Sequence, residues 1–132
     1  MESRDRLCIL VFDEISLKCS LNYNVERDYV EGLEDFGMAC GRTEKPANHA
    51  TAFMVRGLMA KWKQPFGYFL NHSTIKSAIL HRILMTAIEK LKSLDLTVKA
   101  VICDQGSTNC SVFRYLGLHL INPTSSILIV KY

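Results

Sequence analysis

At 132 residues the chain can form one domain with its own core and is too short for two of ordinary size. Hydrophobic residues make up 48% and charged residues 22%, which excludes a disordered polyelectrolyte, and the apolar runs at 50–55 and 127–130 are far too short to cross a bilayer. A net charge of +3 and a pI near 8.6 are compatible with nucleic acid without requiring it.

The charged start, Met1-Glu-Ser-Arg-Asp-Arg6, is not followed by a secretory core, so a soluble intracellular protein is expected. The cysteines (Cys8, Cys19, Cys40, Cys103 and Cys110) are odd in number and show no C-x-x-C spacing. The histidines are scattered, so reduced thiols are expected and a zinc site is not. Cys8 and Cys103 fall inside apolar runs and read as small buried hydrophobes.

In chain order, residues 7–12 (Leu-Cys-Ile-Leu-Val-Phe) form a continuous apolar run, the pattern of a strand buried on both faces, ending at Asp13. Residues 16–23 alternate loosely and suit an antiparallel neighbour. Residues 24–48, with Gly32, Gly37, Gly41 and Pro46 among many charges, read as a long loop holding at most one short strand. Residues 50–58 are a second strand and residues 66–70 a third, with Lys61-Trp-Lys-Gln-Pro65 as punctuation between them.

Residues 71–74 (Asn-His-Ser-Thr) are rich in helix-capping side chains. Ile75, Ile79, Ile83, Ala87 and Leu91 then recur at four-residue spacing, predicting an amphipathic helix over 74–94. Residues 98–103 form a fourth strand ending at Asp104. Beyond it, a turn at 105–109 leads into a short helix over 110–116 stopped by Gly117, then short strands at 119–122 and 127–132. A helix between the third and fourth strands predicts parallel pairing through a right-handed crossover. The sum is an α/β mixed sheet with helices packed on it.

Two apolar strands thus each end in an aspartate, Asp13 and Asp104. If the strands are neighbours, both carboxylates emerge at one edge of the sheet, where α/β proteins place ligands. Paired hard oxygen donors suit Mg²⁺ or Mn²⁺ and phosphodiester displacement. On spacing alone, a cap or turn former is the commoner role for a strand-end aspartate.

Longer stretches carry more. Leu10-Val-Phe-Asp-Glu-Ile-Ser-Leu-Lys18 and Gly32-Leu-Glu-Asp-Phe-Gly37 open the series. Phe53-Met-Val-Arg-Gly-Leu58, Lys61-Trp-Lys-Gln-Pro65 and Gly67-Tyr-Phe-Leu70 continue it. Val101-Ile-Cys-Asp-Gln-Gly-Ser-Thr-Asn109 and Leu116-Gly-Leu118 complete it. As an ordered set spanning nearly the whole chain, they resemble P-element-type DNA transposases, including relatives that carry a THAP DNA-binding domain.

The resemblance implies an RNase H-like domain over 1–132, with Asp13 and Asp104 as the first two acids of a DDE-type triad. It also implies Mg²⁺ or Mn²⁺ as cofactor, DNA as partner, a capacity for self-association and a nuclear location. In that family a third acid lies downstream of an inserted GTP-binding domain. Here no Asp or Glu occurs in the 28 residues after Asp104, and no THAP module is present. The expectation is therefore an incomplete sheet and two of three metal ligands, with GTP relevant only to a longer chain. A non-catalytic DNA- or protein-binding module is the rival. A phosphatase of doubly wound type ranks last, since its catalytic context is missing.

Other residues have plainer roles open to them beside the functional ones. Glu14 follows Asp13 and so faces the other side of its strand. Glu89 could be a helix-borne acid, but Glu89, Lys90 and Lys92 suit a solvated face better. Glu31, Glu34 and Asp35 could hold a metal, with a solvated loop preferred. Arg56, Lys61 and Lys63 could touch a DNA backbone while Trp62 stacks on an unpaired base. A tryptophan beside a proline serves equally as a plug over a hairpin. Gly106 and Asn109 suit helix capping, the Walker pattern being absent.

Overall fold

Alternation of apolar and polar residues dictates the central strand. In the computed structural model, which describes residues 3–104 and 111–112, β1 (Leu7–Ser16) buries Cys8, Leu10 and Phe12 on one face and leaves Ile9 and Val11 half-buried on the other. Eight strands and one helix are described in the order β1, β2 (Asn22–Asn24), β3 (Tyr29–Glu31), β4 (Leu33–Asp35), β5 (Arg42–Pro46), β6 (His49–Gly57), β7 (Lys63–Asn71), α1 (Ser77–Ser93) and β8 (Thr97–Ile102). Six strands form one sheet, ordered β5-β4-β7-β6-β1-β8, and β2 pairs with β3 in a separate ribbon.

β1 is antiparallel to β6, from Cys8 opposite Gly57 to Ser16 opposite His49, and parallel to β8, from Leu7 opposite Thr97 to Val11 opposite Ile102. The crossover through α1 therefore passes over β6 and β1 and delivers β8 to the far edge of β1. The parallel strand expected after the helix is present, but its hydrogen-bonded neighbour is β1 rather than β7, whose nearer edge is taken by β6.

α1 covers one face of the sheet with Leu80, Ile83, Leu84, Ala87 and Leu91. Beneath it the rings of Phe12 and Phe53 stack with centroids 5.2 Å apart, and Phe53 meets Phe69 edge-on at 5.8 Å. This aromatic row joins β1, β6 and β7 and fixes their register, because a slip of one residue would turn all three rings out of the core.

Three expectations are corrected. Residues 16–23 form no partner for β1, whose two edges are occupied by β6 and β8. Residues 24–48 are not one long loop, since β3, β4 and β5 lie within them. Positive-φ glycines make these short turns. At Gly32 (φ 93°) a Cβ would stand 2.1 Å from the Ser20 carbonyl oxygen, so that position admits no side chain. The residues at 71–74 do not cap α1 either. The helix begins after Lys76 without a side-chain cap, because Asn71 is fully buried and spends its amide within the sheet edge. The elements expected at 105–109, 119–122 and 127–132, together with Gly106 and Asn109, lie outside the described residues. So does the helix at 110–116, apart from Ser111 and Val112.

Candidate active site

The paired strands determine where the acids go. Val11 lies opposite Ile102 in the last parallel pair, and each is followed two residues later by an aspartate. Asp13 and Asp104 thus emerge at the same end of adjacent parallel strands. The alternation continues through buried Cys103 to exposed Asp104, as it does through buried Phe12 to exposed Asp13, so both acids follow the face turned away from α1. The Asp13 Oδ1 accepts the Glu14 backbone N–H at 2.8 Å.

Glu14 takes the opposite face, as its place in the strand requires. Its Oε2 accepts from Asn71 Nδ2 at 3.0 Å, and its Oε1 stands 3.9 Å from His49 Nε2. Asn71 also donates to the Ser73 carbonyl at 2.6 Å and accepts from the Thr51 hydroxyl at 3.2 Å. This network beneath the acid-bearing strand end was not read from the sequence. An asparagine in an Asn-His-Ser-Thr run signals a cap before it signals a buried amide.

The remaining candidates separate. Glu89 is exposed on α1, on the covered side of the sheet. The three acids of 31–35 are not a solvated loop, and each serves a local partner. Glu31 accepts from Asn24 Nδ2 at 2.7 Å, and Asp35 accepts from the Gly37 N–H at 2.8 Å. Glu34, only 8% exposed, accepts from the His72 N–H at 2.7 Å and the Thr43 hydroxyl at 3.2 Å, tying β4 to the turn after β7.

Arg56, Lys61 and Lys63 are exposed around the β6–β7 turn. Arg56 shares the open face with Asp13, but Asp13 pairs with Ala52, four residues away along β6, which is roughly 13 Å. Trp62 is half-buried. Its indole N–H donates to the Asp5 carbonyl at 3.3 Å, and its ring lies where a Cβ on Gly57 would meet Nε1 at 2.6 Å. That is the hairpin plug.

For a hard divalent cation, the donor chemistry of Asp13 and Asp104 is suitable: two carboxylates on adjacent rigid strands, directed to one face. Among the described residues no group of three or more Asp, Glu, His or Cys side chains gathers, so these two would form part of a coordination set.

A mixed sheet with a helix over one face and acids on neighbouring strands is the arrangement of an RNase H-like domain. Residues 1–117 match the family described as TNP-like, RNase H N-terminal domain, and the chain belongs to that family. It is similar to the human DNA transposase THAP9, at 27% identity over 125 residues, covering 91% of this chain and 14% of that protein. It is likewise similar to the Transposable element P transposase of Drosophila melanogaster, at 27% identity over 118 residues, covering 89% of this chain and 13% of the relative. Among solved structures, a chain of the Drosophila P element transposase strand transfer complex superposes with a TM-score of 0.65 at 28% identity. That match covers 87% of this chain and 22% of the other. The chain thus spans about a seventh of the length of the curated relatives it matches.

Proposed function

We propose that this domain supplies two metal-binding carboxylates, Asp13 and Asp104, to a DDE-type transposase that cleaves and joins DNA in the nucleus. The observation that supports the reading is the parallel register of β1 and β8, whose last pair, Val11 opposite Ile102, stands two residues before each aspartate although the sequence separates them widely. The similarity to a transposase named for a strand transfer complex supports DNA as the partner.

Asp13 and Asp104 would hold Mg²⁺ or Mn²⁺, which when bound supplies Lewis acidity toward a phosphodiester and its attacking hydroxyl. The protein's own part is positional. β1 is paired with β8 as far as Val11 and with β6 along its whole length, where Asp13 lies opposite Ala52, and the Asn71–Glu14 bond anchors the strand just beyond it. A third carboxylate would come from a longer polypeptide, as would any use of GTP or self-association in assembling the active complex. Arg56, Lys61 and Lys63 would contact DNA phosphates at the far end of the open face.

A second reading, a non-catalytic DNA- or protein-binding module, is favoured by one observation: no three-acid group gathers among the described residues. Calorimetric titration of the purified chain with Mn²⁺, beside Asp13→Ala and Asp104→Ala, separates the two. Binding that either substitution abolishes supports the shared half-site. Binding indifferent to both, or absent from the wild type, supports the module.

A further inference from the structure

The face of the sheet away from α1 carries a groove that runs from Asp13 across the strands. Asp13 lies opposite Ala52 on β6, and Ala52 lies opposite Tyr68 on β7, so the three form one row on one face. Two interstrand steps separate Asp13 from Tyr68, a span of about 10 Å. The middle member is small, which leaves the row hollow, while the Tyr68 ring stands up from it at 71% exposure.

Tyr68 borders two cavities. One, of about 460 Å³, contains Asp13 and Ala52. The other, of about 500 Å³, contains Arg27, Tyr29 and Arg42. The two cavities adjoin at the Tyr68 ring, which lines both, and form a channel with the Asp13 carboxylate at one end and the two guanidiniums at the other.

The arginines at the far end are available. Neither pairs with a carboxylate among the described residues, and the nearby acids Glu31 and Asp35 are already engaged by Asn24 and the Gly37 N–H. Arg42 is braced with its guanidinium 4.9 Å from the centre of the Tyr29 ring, which orients it without neutralising it. The turn carrying Arg27 is fixed by its own backbone N–H, which donates to Asn24 Oδ1 at 3.1 Å. An exposed aromatic ring beside a pair of unneutralised cations is the arrangement that holds an unpaired base and the phosphates that follow it.

We infer that this channel seats a single DNA strand, with a base stacked on Tyr68 and phosphates on Arg27 and Arg42, so that the strand leads toward Asp13. A duplex would hide its base faces from the tyrosine. A free nucleotide would leave most of a channel crossing three strands unused. The inference rests on the proposed function for its destination, the acid pair, but the Tyr68 and arginine contacts stand on their own geometry.

The test is fluorescence anisotropy of a labelled oligothymidylate with the purified chain in Mg²⁺. Tyr68→Ala should weaken binding about tenfold, as loss of one base stack does, while Tyr68→Phe retains it. Arg27→Gln and Arg42→Gln should each weaken binding several-fold and flatten its dependence on salt. Lys92→Gln, on α1 at the opposite face, should leave affinity unchanged.

Absence of binding by the wild type, Tyr68→Ala binding as well as wild type, or an equal loss with Lys92→Gln would each overturn the inference. Thymidine monophosphate binding as tightly as the oligomer would overturn it in favour of a nucleotide pocket, and equal affinity for duplex in favour of diffuse charge. Mn²⁺ titration of the same samples keeps the two readings apart. Metal binding intact with Tyr68 irrelevant to DNA defeats only this inference. Tyr68-dependent strand binding with no metal bound defeats only the proposed catalytic role.

Discussion

Asn71, fully buried at the end of β7, donates to Glu14 Oε2 at 3.0 Å across the whole width of β6. The residue following Asp13 is thereby tied to a strand two positions away in the sheet. The same amide satisfies the Thr51 hydroxyl and the Ser73 carbonyl. No buried side-chain nitrogen or oxygen among the described residues is left without a partner.

Removing that amide should therefore cost more than a surface change. Asn71→Ala strands the Thr51 hydroxyl and frees Glu14, for an expected loss of about 1–3 kcal/mol. Asn71→Asp keeps the shape but sets a second carboxylate against Glu14 and should cost at least as much. Urea unfolding followed by circular dichroism reads both, and wild-type stability in Asn71→Ala would show the network to be dispensable.

Gly57 ends β6 where the chain turns toward Trp62. A Cβ there would meet the Ala60 carbonyl oxygen at 2.5 Å and the indole Nε1 at 2.6 Å. Gly57→Ala should displace the ring, raise the fluorescence emission wavelength of this sole tryptophan and lower the melting temperature. An unshifted spectrum would mean that the plug tolerates the methyl group.

Along α1 the helix face predicts a contrast. Leu84 is completely buried, so Leu84→Ala should destabilise by about 2–5 kcal/mol through lost burial and a cavity. Leu94, just past the helix end, is 67% exposed, and Leu94→Ala should fall within about 0.5 kcal/mol of wild type. Equal effects in chemical denaturation would contradict the helix orientation.

Burial pushes the Cys8 thiol above its ordinary value of 9.0. An acid whose folded pKa is raised stays protonated in the native state while the unfolded chain begins to ionise. Its contribution is thus intact below pH 9.0 and declines as pH rises through that value. The stability gap between wild type and Cys8→Ala should narrow on that alkaline side. Iodoacetamide, read by mass spectrometry, should modify exposed Cys19 and Cys40 in the native protein and reach Cys8 and Cys103 only after unfolding.

Where period and burial agreed, the sequence was legible. β1, β6 and β8 announce themselves through apolar runs, and Ile83, Ala87 and Leu91 mark the buried side of α1. Asp104 follows the end of β8 as the sequence suggested, whereas β1 runs on to Ser16 and leaves Asp13 inside its strand; their placement on neighbouring strands depended on which neighbour β8 would choose. The short strands β2 to β5 were hidden because three to five residues hold too few side chains to show a period, and their glycines and charges imitate a loop. Asn71 and Glu34 misled for a related reason. A polar residue in a polar run gives no sign that tertiary packing will bury it. Tyr68 and Arg42 gained meaning only when strand order set them on one channel.

The parallel pairing of β1 with β8 also has a kinetic side. Asp13 and Asp104 lie roughly ninety residues apart in sequence, and β8 cannot dock until the β6–β7 hairpin and α1 have been laid down between them. Closing so long a loop is entropically costly and brings no local reward beforehand. The acid pair is therefore among the last features to assemble as the chain folds. A nascent chain would therefore carry Asp13 without Asp104 beside it until β8 has emerged from the ribosome.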